Sequence, residues 1–185
     1  MLQRHRSPGI DPRPAQITKG LDHVNDEWVA VLRWLAEGRV EHVLVGAAAE
    51  AIRGSATASG PIAIVPAPYR RNLDRLAASL LGVHARLRTD GAPETTPVRF
   101  NAAKLAAGDR WTVRCEDLHD LDIEMAPAAR YSELLYEAGR FEIEPGLSVE
   151  VGSPEDLERH SHLPLIGGEP EIRVTRGPVV PQSAG

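Results

Sequence analysis

The sequence contains a single cysteine, Cys115, so the chain cannot form an internal disulfide. One cysteine in a chain of this length is typical of a protein kept in a reducing compartment, and we expect a cytoplasmic location. Trp111 and Val113 precede the cysteine in alternation with polar residues. This pattern predicts a buried structural thiol rather than a nucleophile.

Long apolar runs and an excess of basic residues are also missing. No apolar run approaches the ~20 residues that span a bilayer, so we expect no membrane segment. The first residues, MLQRHRSPGIDPRP, have charge but no apolar stretch and do not resemble a secretory signal. The net charge is -5, and aromatic residues are limited to three tryptophans, three tyrosines and two phenylalanines. Nucleic-acid binding is therefore not indicated.

The 185 residues are enough to bury one core, which predicts a single domain. Residues 1–20 combine three prolines with charges, and we expect a flexible N-terminal arm there. Residues 21–163 carry the periodic patterns and form the expected domain. Residues 164–185 are rich in Gly and Pro, which predicts an extended or disordered tail.

Hydrophobic periodicity predicts the secondary structure of that domain. The expected helices are Asp26–Glu37, Ala47–Ile52, Arg71–Leu81, Tyr131–Glu137 and a helix that starts at Ser153 and runs to about His160. The expected strands are His42–Val45, Ile62–Val65, Val83–Arg88, Arg110–Glu116, Asp120–Met125, Phe141–Ile143 and Leu147–Val151. Residues 98–108 are ambiguous between a short helix and an irregular connection. Arg110–Glu116 and Asp120–Met125 are close enough to predict an antiparallel hairpin.

These elements predict an α/β (α+β) fold, a small mixed β-sheet flanked by helices, which we expect on one side of the sheet. The stretch VLVGAAAEAIRGSATASGPIAIVP, from Val43 to Pro66, organises the chain. Its pattern predicts a buried strand, a glycine turn, a short helix, a polar loop and a second strand. A later acidic strand, Leu121-Asp122-Ile123, follows it.

This arrangement resembles the nucleotidyltransferase superfamily of polymerase-beta-like fold, and within it the small bacterial branch found in toxin–antitoxin and phage-defence systems. The likeness covers roughly residues 26–160. In those enzymes a glycine turn holds the nucleoside triphosphate, and three acids hold two Mg²⁺ ions. The metals neutralise charge on the transferring phosphate and activate the attacking hydroxyl.

The resemblance implies roles for particular positions. Val45-Gly46-Ala47 stands at the glycine turn and Gly54-Ser55 at a second turn, so Gly46, Ala47, Gly54 and Ser55 are the implied vestigial nucleotide-binding residues. Asp122 stands at the third acid and is the implied residual catalytic carboxylate. Ser153-Pro154-Glu155-Asp156-Leu157 resembles the start of the late helix, without its basic continuation.

The first two acids of the motif are absent, because Pro61 and Ala63 stand at their positions. Mg²⁺ takes oxygen ligands in near-octahedral geometry, and neither side chain has an oxygen. The leading hypothesis is therefore a nucleotidyltransferase-like protein that has lost metal-dependent transfer. It acts by binding a nucleotide, a protein partner or a second copy of itself, for example as an antitoxin-like subunit. No cofactor is expected; Mg²⁺ and a nucleoside triphosphate are implied only if activity persists.

Two alternatives remain open. Asp120, Asp122 and Glu124 project from one face of a strand and could form a rebuilt metal site in an active nucleotidyltransferase. The same acids could instead pair with Arg110, Thr112 and Arg114 across the hairpin. The other alternative is a purely structural interaction module, for which Trp34, off the buried stripe of its helix, is a candidate surface.

Histidines give little indication of a second site. His160 and His162 stand at the end of a predicted helix and His119 lies far upstream. Zinc sites usually combine such residues with cysteine ligands at set spacings, which are missing here. We expect these histidines to be exposed.

Overall fold

The computed structural model describes residue 21 and residues 24–55, 57–88, 99–115 and 120–161. The predicted arm, residues 1–20, and tail, residues 164–185, lie outside the described residues. In the described part, the helices are α1 (Asp26–Glu37), α2 (Gly46–Ile52), α3 (Arg70–Gly82), α4 (Ala102–Ala107), α5 (Ala128–Glu137) and α6 (Pro154–Ser161). The strands are β1 (His42–Val45), β2 (Ile62–Pro66), β3 (Arg86–Leu87), β4 (Arg110–Arg114), β5 (Leu121–Glu124), β6 (Gly139–Glu144) and β7 (Leu147–Val151).

The strands form one mixed sheet in the order β3-β4-β5-β2-β1-β7-β6. Strand β1 is antiparallel to β2 and parallel to β7, while β2 is parallel to β5. The other neighbours, β3 with β4, β4 with β5 and β6 with β7, are antiparallel. The predicted α/β fold, a mixed sheet flanked by helices, is therefore confirmed, as is the β4–β5 hairpin.

Helices cover both faces of this sheet rather than one. Leu44, Ile64 and Ile123 share one face through the strand registers and are fully buried. Helix α1 packs against α3 and β7, and α3 packs against α4. Because β1 and β2 are apolar on both faces, the opposite face also needs cover where these strands cross it. Helices α5 and α6 provide that cover, and we call this second face the site face.

The α1 helix matches its predicted bounds because both its start signal and its apolar stripe are clear. Asn25 Oδ1 accepts a hydrogen bond from the Trp28 N–H at 2.8 Å, which caps the first turn. The buried residues of the stripe are Trp28, Val31, Leu32 and Leu35. Trp34 is partly buried against the core. Its role as a partner surface stays a prediction.

Two local predictions are wrong. The expected strand Val83–Arg88 is reduced to Arg86–Leu87, because α3 extends to Gly82 and closes with a turn in which His84 has a φ of 47°. Helix α5 begins at Ala128, earlier than expected. Ser132 therefore lies inside the helix, where its hydroxyl donates to the Ala128 carbonyl at 2.9 Å.

Candidate functional site

Gly46 marks the point where β1 ends and α2 begins. Its φ of 66° lies in the left-handed region. A Cβ at this position would lie 3.2 Å from Ala63 Cβ and 3.4 Å from His160 Nε2. Both the backbone angle and the close approach of α6 therefore favour glycine here. The imidazole of His160 fills the space directly beside the glycine turn.

The residues that carry the resemblance come together on the site face. Val45 pairs with Ala63, and Ala63 pairs with Asp122 on the next strand. Gly46 therefore follows a row of three paired residues, Val45, Ala63 and Asp122, that ends at the Asp122 carboxylate. Pro61, two residues before Ala63, is expected on the same face because side chains alternate along a strand.

The second implied turn lies elsewhere. Gly54 and Ser55 follow the C-terminal end of α2, so the length of that helix, about 10 Å, separates them from Gly46. Ala47 lies in the first turn of α2 and is partly buried. The structure thus does not bring the four implied nucleotide-binding residues to one point. Their role stays a prediction.

Asp122 is buried, with 6% of its surface exposed, and its carboxylate is fully engaged. Its Oδ1 accepts a hydrogen bond from Thr112 Oγ1 at 2.7 Å, and its Oδ2 lies 3.0 Å from Arg110 Nη2. Thr112 is the direct cross-strand partner of Asp122 in the hairpin register. The predicted cross-strand pairing is therefore present.

Asp120 is held in the same way by two arginines. Its Oδ1 lies 3.1 Å from Arg114 Nε, and its Oδ2 lies 2.6 Å from Arg88 Nη1. Burial disfavours the charged carboxylate, but hydrogen bonds and charges from Arg114 and Arg88 outweigh it. The pKa of Asp120 is therefore lowered, and the carboxylate stays ionised.

Glu124, the third acid of the run, contacts α6. Its Oε2 lies 3.0 Å from His160 Nδ1. The same oxygen is buried and has no hydrogen-bond partner of good geometry. His160 lowers the pKa of Glu124, and this effect exceeds the opposing effect of burial.

These contacts bear on the predicted metal ligands. Asp120, Asp122 and Glu124 each contact a basic side chain, and a metal would have to displace those groups. Among the residues described, no group of three or more His, Cys, Asp and Glu side chains is placed to hold a metal ion. Thus the rebuilt metal site stays a prediction. His160 is mostly buried against Glu124 rather than exposed, whereas His119 and His162 lie outside the described residues.

A pocket of about 170 Å³ opens next to this row, between the site face and helices α5 and α6. Its charged centre is Asp156, whose side chain is 1% exposed. Asp156 Oδ1 accepts from Arg130 Nη2 at 2.6 Å and from Arg159 Nη1 at 3.1 Å. Ser153 Oγ donates to Asp156 Oδ2 at 2.9 Å and also accepts from the Asp156 N–H at 3.2 Å, capping α6.

Sequence reasoning missed the two arginines of this pocket. The Ser153–Asp156 spacing is a helix-capping signal, and it explains why Asp156 is near its own helix terminus. Nothing local indicates that Arg130, on α5, reaches it. Cys115, by contrast, behaves as predicted: it is buried, and burial raises the pKa of its thiol to about 11.

Compared with protein-family models the chain matches none, and no curated protein matches it with significance. The nucleotidyltransferase resemblance therefore stays a prediction. Within the described residues, no helix is long and apolar enough to cross a membrane. The α/β fold and the geometry around Gly46, Ala63 and Asp122 are the basis for any functional proposal.

Proposed function

We propose that this chain is a nucleotidyltransferase-fold protein that no longer catalyses metal-dependent nucleotidyl transfer and acts by binding a nucleotide or a protein partner. The observation that supports the proposal is the row Gly46, Ala63 and Asp122 on the site face. A methyl group stands where transfer chemistry needs a metal-binding oxygen. The remaining carboxylate faces it from the neighbouring strand.

The charges around Asp122 also disfavour metal-dependent transfer. Phosphoryl transfer uses metal ions to neutralise charge on the reacting phosphate. Here Arg110, permanently charged, already occupies one oxygen of Asp122 at 3.0 Å. A divalent cation approaching that carboxylate would meet a positive charge and find no second carboxylate at Ala63. Metal binding is therefore disfavoured by ligand number and by electrostatics.

Loss of transfer is tested on the full chain with labelled nucleoside triphosphates, Mg²⁺ or Mn²⁺, and candidate RNA and protein acceptors. We expect no incorporation above a protein-free control and no saturable heat when Mn²⁺ is titrated into the protein. Label incorporation that disappears in Asp122→Ala would identify an active enzyme and overturn the proposal. Asp74→Ala is the matched control, because Asp74 is a more exposed acid on α3.

Binding is tested separately, by equilibrium titration with labelled nucleotides in the absence of metal and by light scattering. Saturable nucleotide binding supports the nucleotide form of the proposal. A stable homo-oligomer without nucleotide binding supports the partner form. A monomer that binds neither nucleotide nor itself would leave the binding role without support and favour a purely structural module.

A further inference from the structure

The two ends of the seven-stranded sheet differ in how much backbone they expose. At one end β3 has only two residues, and so short an edge strand offers little backbone for another chain to pair with. At the other end β6 runs over six residues, Gly139–Glu144, and pairs on one side with β7. Among the described residues, no strand pairs with its other side. We call that side the β6 edge.

The β6 edge carries backbone groups that an added strand could use. In an antiparallel pair only alternate residues direct their N–H and C=O groups at the neighbouring strand. The remaining residues of β6 therefore direct theirs away from β7. Proteins commonly protect such an edge with proline, lysine or a bulge. β6 contains neither proline nor lysine, and its register shift lies between Glu142 and Glu144, next to the hairpin turn.

Packing on one face of the sheet holds β6 in place. Phe141 and Ile143 are 4% and 7% exposed. The guanidinium of Arg53 lies 5.2 Å from the centre of the Phe141 ring. The same ring covers Gly139, where a Cβ would lie 2.9 Å from Phe141 Cε2. A partner strand would therefore meet an edge that is already ordered, which lowers the entropic cost of pairing.

The opposite face of β6 carries its charges. Arg140 and Glu142 are two residues apart, so their side chains project from the same face. Arg140 Nε lies 3.7 Å from Glu150 Oε1 on β7, and Glu142 Oε1 accepts from the Gly146 N–H at 3.1 Å. A guanidinium has five N–H donors and a carboxylate has two oxygens, so each group has capacity for a further partner.

These two charges are complementary to a second copy of the same strand. A two-fold axis perpendicular to the sheet pairs two copies of β6 antiparallel, and the residue on the axis faces itself. With Arg140 or Glu142 on the axis, like charges face each other. With Phe141 on the axis, Arg140 of each copy faces Glu142 of the other. Directly opposite unlike charges stabilise an antiparallel pair, whereas like charges destabilise it.

We propose that two copies of the chain pair antiparallel through the β6 edge, with Phe141 on the two-fold axis and Arg140 of each copy opposite Glu142 of the other. The two sheets then form one continuous sheet. A single short strand pair buries less surface than a tight complex does, so the dimer is weak and depends on protein concentration. This inference goes beyond the proposed function, because it depends on the β6 edge and not on the site face.

The test reverses the two charges and measures the oligomeric state by sedimentation velocity over a range of protein concentrations. We expect the parent chain to dimerise as its concentration rises. Arg140→Glu places acid opposite acid, and Glu142→Arg places base opposite base, at both symmetric positions. Each should weaken dimerisation by about 10-fold or more. The double variant should dimerise again, and an equimolar mixture of the two single variants should form a heterodimer, because every acid then faces a base.

The controls separate a lost interface from a lost fold. Arg70→Glu reverses a 91% exposed arginine on α3 and should leave dimerisation unchanged. Circular dichroism checks that each variant folds. If Arg140→Glu does not fold beside Glu150, Glu142→Arg remains as the single reversal, and adding Arg140→Gln to it should restore part of the lost affinity.

Three results would each overturn the inference. The first is a parent chain that stays monomeric at every concentration, which would leave the β6 edge open to a strand of a different protein. The second is a dimer that both single reversals leave intact. The third is a mixture of the folded single variants that does not associate. A monomer that binds nucleotide would still support the proposed function, whereas nucleotidyl transfer by a dimer would overturn the proposed function alone.

Discussion

Arg110 Nη2 lies 3.0 Å from Asp122 Oδ2, and both side chains are largely buried, at 12% and 8% exposure. Removing one partner of such a pair leaves the other charge uncompensated. Asp122→Asn, which retains an acceptor for Thr112, is therefore expected to lower the free energy of unfolding by about 3 kcal/mol. Urea denaturation at neutral pH measures the change.

The control for this prediction is an exposed pair. Arg70 and Asp74 are 3.8 Å apart on the surface of α3, at 91% and 58% exposure. Exposed ion pairs contribute roughly 0–1 kcal/mol, so Asp74→Asn should be nearly neutral. Equal effects of Asp122→Asn and Asp74→Asn would show that the Arg110–Asp122 contact is not a structural pair.

Asn72 joins α3 to the residues that flank β1 and β2, and its replacement should have a second large effect on stability. It is fully buried; its Oδ1 accepts from the Glu41 N–H, and its Nδ2 donates to the carbonyls of Glu41 and Ala67. Asn72→Ala leaves the Glu41 N–H and the Ala67 carbonyl without their side-chain partner, while the Glu41 carbonyl still accepts from the Ala67 N–H, so we expect a loss of about 2–4 kcal/mol in unfolding free energy. Thermal and urea denaturation measure it. A loss of less than about 1 kcal/mol would indicate that water replaces the amide.

Replacing Gly46 should lower the free energy of unfolding, because its backbone angle is unfavourable for other residues. Gly46→Ala forces a side chain into the left-handed region and against Ala63 and His160, so we expect a loss of about 1–3 kcal/mol. Gly82, at the end of α3, has open space where its Cβ would lie. Gly82→Ala should be neutral or stabilising by about 0.5–1 kcal/mol. Equal unfolding free energies for Gly46→Ala and Gly82→Ala would show that Ala63 and His160 leave room for a side chain at position 46.

The buried His42 side chain should make the stability of the protein depend on pH. Burial lowers its pKa, partly opposed by the hydrogen bond of its Nδ1–H to the Val40 carbonyl at 2.9 Å. Because the folded pKa is below the unfolded value, the unfolded state binds a proton first as the pH falls. Stability contributed by neutral His42 is thus present above about pH 6.5 and declines below it, by at most about 1.4 kcal/mol per pH unit.

The comparison of His42→Gln with the parent chain isolates this effect from the other histidines. Urea denaturation between pH 8 and pH 5 should show a smaller loss of stability in His42→Gln, because glutamine does not titrate. Parallel pH profiles for the two proteins would mean that the pKa of His42 is the same in the folded and unfolded states.

The sequence predicts most of the fold because the informative patterns are local. The apolar stripe and caps of α1 and the alternation in β4 and β5 specify those elements and their hairpin, and with it the Thr112–Asp122 pairing. The contacts of Arg130 with Asp156 and of His160 with Gly46 join positions far apart in the chain. No local periodicity encodes such contacts, so the pocket between α5 and α6 could not be predicted.

The proposed nucleotidyltransferase ancestry can be tested by introducing acids next to Asp122. Pro61→Asp with Ala63→Asp puts two carboxylates beside Asp122, as the nucleotidyltransferase motif requires. Ala63 is 4% exposed, so without metal the added charges should destabilise the fold. If the scaffold retains metal-site geometry, Mn²⁺ should restore stability, by about 2.7 kcal/mol at 100 times the dissociation constant.

Thermal denaturation with and without Mn²⁺ measures this response in the Pro61→Asp, Ala63→Asp double variant. Adding Asp122→Asn to the double variant removes the third ligand and should abolish the response, whereas adding Asp74→Asn should not. An increase in melting temperature that persists after Asp122→Asn would indicate binding elsewhere. No increase in the double variant would mean that Gly46, Ala63 and Asp122 do not form a metal-site scaffold, because carboxylates at both positions supply the charge and oxygen ligands that Mn²⁺ requires.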